Sequence, residues 1–68
     1  MLKTEVNCHK IKLEQGAVGQ KAILKITDEH GYWRRIETSK VVNISRNCSG
    51  MLEIQTAHTI YRTYIEEK

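Results

Sequence analysis

Apolar and polar residues alternate along much of this chain, and a period of two is the period of a β-strand. The segments KAILKIT at residues 21–27 and MLEIQT at residues 51–56 each place their aliphatic side chains mainly on one parity. Successive side chains of a strand point to opposite faces, so each segment has one face to bury. The sequence therefore predicts an all-β protein.

Turn signals divide the alternating segments. Asp first and Gly fourth in DEHG, residues 28–31, suit a type I turn, which predicts a hairpin between residues 21–27 and 32–38. Only Ala57 and His58 separate the segment at 51–56 from residues 59–65, so His58 is expected to adopt the left-handed conformation. Residues 59–65 also fit helical spacing, but their β-branched and aromatic residues favour a strand.

The chain has 68 residues, of which 40% are apolar and 28% charged, as in one small folded domain spanning residues 1–68. Short strands and tight turns predict a five- to six-stranded antiparallel barrel, SH3-like or OB-like, or a compact sandwich. Residues 66–68 are expected to fray. No apolar run at the N-terminus looks like a signal peptide and none could span a bilayer, so the expected location is cytoplasmic.

The segment TSKVVNISRNCSGMLEIQTAHTIY, about a third of the chain, resembles a pattern of small uncharacterised bacterial and prophage β-proteins. In that pattern a Thr-Ser-x-Val motif opens a strand and a Thr-rich motif ending in Tyr closes the last hairpin. The matching residues are Thr38, Ser39, Val41, Thr56, Thr59 and Tyr61. His58 stands where Asn is usual. The resemblance implies a bacterial or phage origin.

Five residues of types that bind zinc are present: Cys8, His9, His30, Cys48 and His58. None of them forms the closely spaced pairs of structural zinc sites, so no metal site is predicted. Reduced thiols are expected without a secretion signal. A nucleophilic Cys48 would need a base such as His30 or His58, and nothing nearby in sequence supports that pairing. With no phosphate-binding loop and no paired carboxylates, neither a cofactor nor enzyme activity is expected.

The segment DEHGYWRRIE, residues 28–37, holds the only Trp and two adjacent arginines. A strand places Trp33, Arg35 and Glu37 on one face, and Arg34 on the face that holds Ile36. The two arginines are therefore predicted to diverge, with Arg34 extending outward from the core-side face. Trp33 beside Arg35 could stack on a base, anchor a protein interface, or close one end of the barrel.

Charge separates these options. The net charge of +3 is weak, and no basic run exceeds two residues. A cluster would have to assemble in three dimensions, from Lys10, Lys12, Lys21, Lys25 and Arg35. The candidate binding residues are Trp33, Arg35, Glu37, Lys21 and Lys25. The expected function is a non-catalytic regulator or inhibitor that contacts a protein through Trp33 and a strand edge, with self-association as a way to cover free edges. Nucleic-acid binding is the alternative.

Overall fold

The alternating segments form seven β-strands in the computed structural model of the chain, which describes residues 3–28, 30–47 and 50–67. The all-β prediction is confirmed. No helix long and apolar enough to cross a membrane occurs among the described residues. In chain order the strands are β1 (Thr4–Asn7), β2 (Lys10–Gln15), β3 (Lys21–Thr27), β4 (Trp33–Arg46), β5 (Leu52–Thr56), β6 (Thr59–Thr63) and β7 (Glu66–Glu67).

The strands form one hydrogen-bonded series in the order β1-β6-β5-β4-β3-β2-β7. β4 is 14 residues long, and its first part pairs with β3 while its last part pairs with β5. The register shifts where the partner changes, and such bulges let a strand pass from one layer of a sandwich to the other. The fold is therefore a small sandwich whose layers share β4. It is not closed into the predicted barrel, since β1 and β7 remain the two ends of the series.

Two pairs of strands, β1 with β6 and β2 with β7, run parallel, which corrects the prediction of a wholly antiparallel fold. Thr4 lies opposite Thr59 in a parallel β1–β6 ladder, and Ile11 lies opposite Glu66 in a parallel β2–β7 ladder. The residue offset is the same in both ladders, because β1 leads into β2 and β6 leads into β7 across connections of equal length. The two ends of the chain thus pass together from one layer to the other.

The C-terminal end differs from the frayed end predicted for residues 66–68. β7 pairs with β2, and the guanidinium of Arg46 donates two hydrogen bonds of 2.8 Å to the carboxylate of Glu66. Lys68 lies outside the described residues. A two-residue strand and a bidentate ion pair therefore fix the end of β7 against the rest of the molecule.

Both layers share one hydrophobic core. Its members come from β2, β3, β4 and β5, and all are at most 7% exposed: Ile11, Ala22, Leu24, Ile26, Val41, Leu52 and Ile54. Burying an aliphatic side chain of the larger kind contributes about 1.5–3 kcal/mol to folding. The apolar parity read from the sequence is the buried one in β3 and β5.

Buried threonines lie where strands bend or end. The hydroxyl of Thr38, inside β4 near its change of partner, accepts from the amide of Ala22 at 2.9 Å and donates to the carbonyl of Ser39 at 2.7 Å. The hydroxyl of Thr63, at the end of β6, donates to the carbonyl of His9 at 2.9 Å. These bonds satisfy backbone groups that the ladders leave free at the corners.

Gly16 fixes the connection between β2 and β3. Its φ is +112°, and a Cβ at this position would lie 2.7 Å from both the Cα of Ala22 and the carbonyl oxygen of Lys21. Only glycine fits such a close backbone approach. The turn therefore sets how β2 and β3 align, with Lys12 opposite Lys25.

The predicted hairpin between β3 and β4 is confirmed. The amide of Gly31 donates to the carbonyl of Asp28 at 3.0 Å, and the amide of His30 donates to the Asp28 carboxylate at 2.9 Å. Glu29 lies outside the described residues. The return strand, however, does not stop at Thr38 but continues to Arg46.

The last hairpin is also formed, and residues Thr59–Thr63 are a strand rather than a helix. The expectation for His58 is wrong, because none of the described non-glycine residues has a positive φ. The connection is instead held by Thr56, whose hydroxyl accepts from the amide of Thr59 at 3.0 Å and donates to its carbonyl at 2.9 Å. A side-chain turn of this type needs no left-handed residue.

Candidate functional site

Basic side chains and the sole Trp surround a groove of about 390 Å³ on the outer side of the layer formed by β2, β3 and β4. We call it the Trp33 groove. Its lining residues are Lys12, Lys25, Trp33, Arg34 and Arg35. Four cations and one large aromatic thus face a single open concavity.

The register of three strands explains why three of these cations meet. Lys12 of β2 lies directly opposite Lys25 of β3, and Lys25 lies directly opposite Arg35 of β4. Directly opposed residues project from the same side of the sheet, and neighbouring strands are about 4.8 Å apart. Lys12, Lys25 and Arg35 therefore form a cationic row across the strands, at right angles to the chain direction.

Trp33 lies at one end of the cationic row. It begins β4, two residues before Arg35 and on the same face, and 47% of its surface is exposed. Thr27, its partner in the ladder, is 2% exposed. Trp33 therefore does not serve only to close the core, since about half of the indole remains open to a ligand.

Glu14 is the carboxylate that contacts the row. It stands at the register shift between Leu13 and Gln15, and its carboxylate lies 3.0 Å from the Lys25 ammonium. The hydrogen bond from Lys25, reinforced by the charges of Lys25, Lys12 and Arg35, holds the pKa of the Glu14 carboxyl below its usual value. One carboxylate is therefore shared among three cations.

The other cations of the groove have no such partner among the described side chains. Within the part of the chain that the structure describes, no carboxylate lies within 4.0 Å of the charged groups of Lys12, Arg34 or Arg35. Glu67 is opposite Lys12 in the β2–β7 ladder. Like charges placed directly opposite each other on a sheet, as Lys12 and Lys25 are, are destabilising. The described side chains of the groove thus include more cations than contacting carboxylates.

The two arginines lie on opposite parities of β4, as predicted, yet both line one groove. Arg34 does occupy the core-side parity, opposite Ile26, yet its side chain is exposed and lines the same groove as Arg35. The reason is its place near the start of β4, where a long side chain extends past the edge of the core into solvent. The basic pair therefore contributes to one surface.

Two predicted site residues lie away from the groove. Lys21 is exposed at the start of β3, opposite Lys40, and Glu37 is exposed opposite Ile23. Neither lines the groove. The structure therefore brings together Trp33, Arg35 and Lys25 of the predicted set, and adds Lys12, Arg34 and Glu14.

A second concavity, the β1 slot, opens beside the free edge of β1 and has a volume of about 330 Å³. Apolar side chains of Val6, Ile26, Ile36 and Tyr61 line it, and Arg34 borders both concavities. The slot also holds Cys8, a free thiol. Burial raises the pKa of the Cys8 thiol, against the opposing charge of Arg34, which is the reverse of what a nucleophile requires.

The histidines do not assemble a chemical site. His9, His30 and His58 are all exposed, and no group of three His, Cys, Asp or Glu side chains that could hold a metal ion occurs among the described residues. Cys48, the nucleophile considered from the sequence, lies outside those residues. The candidate site that the described residues offer consists of cations and an indole.

Comparison with known proteins gives no match: no family model fits the chain, and no curated protein or solved structure is significantly similar to it.

Proposed function

We propose that this chain is a small non-catalytic binding module whose Trp33 groove takes a single-stranded nucleic acid. The observation that carries the proposal is the convergence of Lys12, Lys25, Arg34 and Arg35 on a half-exposed indole, with Glu14 as the nearby carboxylate. Single-strand-binding proteins combine cations along the phosphates with aromatic rings that stack on bases. The basic residues are dispersed along the sequence, which favours a protein partner. Their convergence in the fold supports a nucleic-acid ligand instead.

The electrostatics of the groove favour a polyanion. Nucleic-acid affinity comes largely from neutralising several phosphates together and releasing their counterions. A surface whose cations are already paired offers little of this, whereas three cations of the groove have no carboxylate in contact among the described residues. A phosphate chain would relieve the repulsion between opposed cations while it binds.

The test uses Trp33 as its own reporter. Trp33 is the only Trp, so quenching of the intrinsic fluorescence reports a ligand stacked in the groove itself. Titration with an oligothymidylate at low salt is expected to quench the indole, and the affinity is expected to fall as salt rises. Equal affinity at 50 and 200 mM salt would contradict the proposal.

A matched pair of variants locates the site. Lys25→Glu reverses a charge in the middle of the cationic row, and Lys21→Glu makes the same change on the same strand outside the groove. We expect Lys25→Glu to weaken oligonucleotide binding by at least about tenfold and Lys21→Glu by about twofold or less, since only the first breaks phosphate contacts. Equal losses would show that only the net charge matters.

The second candidate is the regulator or inhibitor that contacts a protein, and the β1 edge favours it. β1 is hydrogen-bonded on one side only, to β6, and the apolar β1 slot lies beside its free edge. Exposed edges of this kind accept an added strand from a partner or from a second copy of the chain. On this reading a bacterial or phage partner protein would pair with β1.

The protein-binding candidate has its own test. The amides of Thr4 and Cys8 donate toward the β6 side, so the amide of Asn7 faces the free edge. Asn7→Pro removes that donor and is expected to abolish strand addition while leaving oligonucleotide binding intact. Light scattering across concentrations reports self-association, and a wild-type protein that stays monomeric would remove the second copy as the partner.

A further inference from the structure

We propose that the Trp33 groove holds about three consecutive nucleotides laid across the strands, with a base on Trp33 and the phosphates following Arg35, Lys25 and Lys12. The bound nucleotide strand competes with Glu14 for the Lys25 ammonium. This rests on the proposed function and deepens it, because it names the path and length of the ligand and the internal carboxylate with which it competes.

The path follows from the register. The three cations of the row stand on three successive strands, so the row runs across the sheet and spans about 10 Å at the usual strand spacing. Trp33 lies on β4, at the Arg35 end. A ligand that stacks on the indole and contacts Arg35 can therefore reach Lys12 by crossing β3 over Lys25.

The length follows from the number of cations in the row. The row holds three cations, Lys12, Lys25 and Arg35, and at one phosphate for each cation it matches about three phosphates. Beyond Lys12 lies only the two-residue strand β7, whose Glu67 is opposite Lys12 in the parallel ladder. The row of cations is thus bounded at one end by an acidic position on the edge strand and at the other by the indole.

Glu14 occupies the middle of the path. The bulge at Glu14 re-aims its side chain relative to a regular strand, and the carboxylate contacts the central cation, Lys25, at 3.0 Å. A phosphate that binds the same ammonium is repelled by this carboxylate, so the contact is stronger when Glu14 is displaced. The groove therefore carries an internal competitor that lowers its affinity for the anion.

The length is tested by titrating the Trp33 fluorescence with oligothymidylates of one, two, three and six nucleotides. The affinity is expected to rise steeply up to three nucleotides. Six nucleotides should then bind no more than roughly fourfold more tightly than three, because a strand of six offers four overlapping stretches of three. With three phosphates engaged, the slope of log K against log salt is about −2. A gain above tenfold from three to six nucleotides, or equal binding of one and three, would overturn the footprint while leaving the proposed function in place.

The competition is tested with two carboxylate-to-amide variants of equal net charge. Glu14→Gln releases Lys25, whereas Glu37→Gln changes a carboxylate opposite Ile23, outside the groove. We expect Glu14→Gln to bind trithymidylate about twofold to fivefold more tightly and Glu37→Gln to equal the wild type, as exposed ion pairs have modest strengths. Equal gains in both variants would overturn the competition. If no oligothymidylate of any length quenches Trp33, the proposed function itself fails.

Discussion

The two layers of the sandwich carry the same kinds of charged residue but arrange them in opposite ways. In the β1-β6-β5 layer, Arg62 lies between two carboxylates, 3.0 Å from Glu5 and 3.1 Å from Glu53. In the β2-β3-β4 layer, the carboxylate of Glu14 contacts Lys25 within a row of three cations. In the first arrangement the carboxylates in contact outnumber the cation, and in the second the cations outnumber the carboxylate in contact.

The difference shows how a small net charge can hide a cationic surface. The hydrogen bond and charge of Glu53, joined by those of Glu5, raise the pKa of the Arg62 guanidinium. The formal charge of +3 averages this acidic surface with the cationic one. Local compensation, rather than net charge, therefore separates a stabilising ion pair from a candidate site.

The largest effect is expected from a change that tests whether the two layers form one unit. Leu24 lies in the core on β3 and Ile54 on β5, and both are fully buried. Leu24→Ala and Ile54→Ala are each expected to lower the free energy of unfolding by about 2–5 kcal/mol in a single transition, because both remove packing from the same core. Denaturant unfolding followed by circular dichroism measures this. Separate transitions for the two variants would mean that the layers fold independently.

A matched pair of arginine substitutions then contrasts the surfaces. Arg35→Gln relieves repulsion with Lys25 and is expected to raise the free energy of unfolding by about 0.2–1 kcal/mol. The same variant is expected to bind oligonucleotides roughly threefold to tenfold more weakly. The slope of log K against log salt should become shallower by about 0.7, because one phosphate contact is lost. Arg62→Gln leaves Glu5 and Glu53 without their shared cation, so its Tm should fall while its binding stays unchanged. Thermal melts and salt titrations of both variants measure these effects. Loss of binding in Arg62→Gln would place the ligand on the other layer.

The smallest effect is a pH dependence carried by Glu14. Its folded-state pKa is depressed, so its ionised form contributes stability above its unfolded pKa, and that contribution is lost as the pH falls through the folded pKa. A phosphate chain that takes Lys25 from Glu14 raises the carboxyl pKa, so protons are taken up on binding. We expect the affinity for trithymidylate to rise as the pH falls from about 5 to 4 and this rise to vanish in Glu14→Gln. An unchanged pH profile in that variant would assign the effect to another group.

Local pattern was sufficient for the central hairpin and for much of the candidate site. Alternation in residues 21–27 and the turn at Asp28 and Gly31 predict the central hairpin, because side-chain parity and turn chemistry are local properties. Trp33 and Arg35 share the outer face for the same reason. Lys25 joins them because the hairpin turn fixes which residues of β3 and β4 are opposed.

Lys12 and Glu14 enter the site through features that are harder to read. The alternation of Lys10, Lys12 and Glu14 signals a polar face on β2, yet which residue meets Lys25 depends on the close approach at Gly16 and on the bulge at Glu14. A shift of one residue would turn that face inward. Arg34 lines the groove because it lies where the hydrophobic core ends. The alternation of faces along β4 does not by itself specify where that end is.

By itself the sequence determined an all-β fold, the central hairpin and the faces on which Trp33 and Arg35 lie, because a period of two and the turn residues act over a few positions. Only the tertiary structure decided that β4 spans both layers, that the chain ends run parallel, and that Lys12, Lys25 and Arg35 form one row beside Trp33. These outcomes depend on pairings between distant segments, whose register is set by bulges and close backbone contacts rather than by composition.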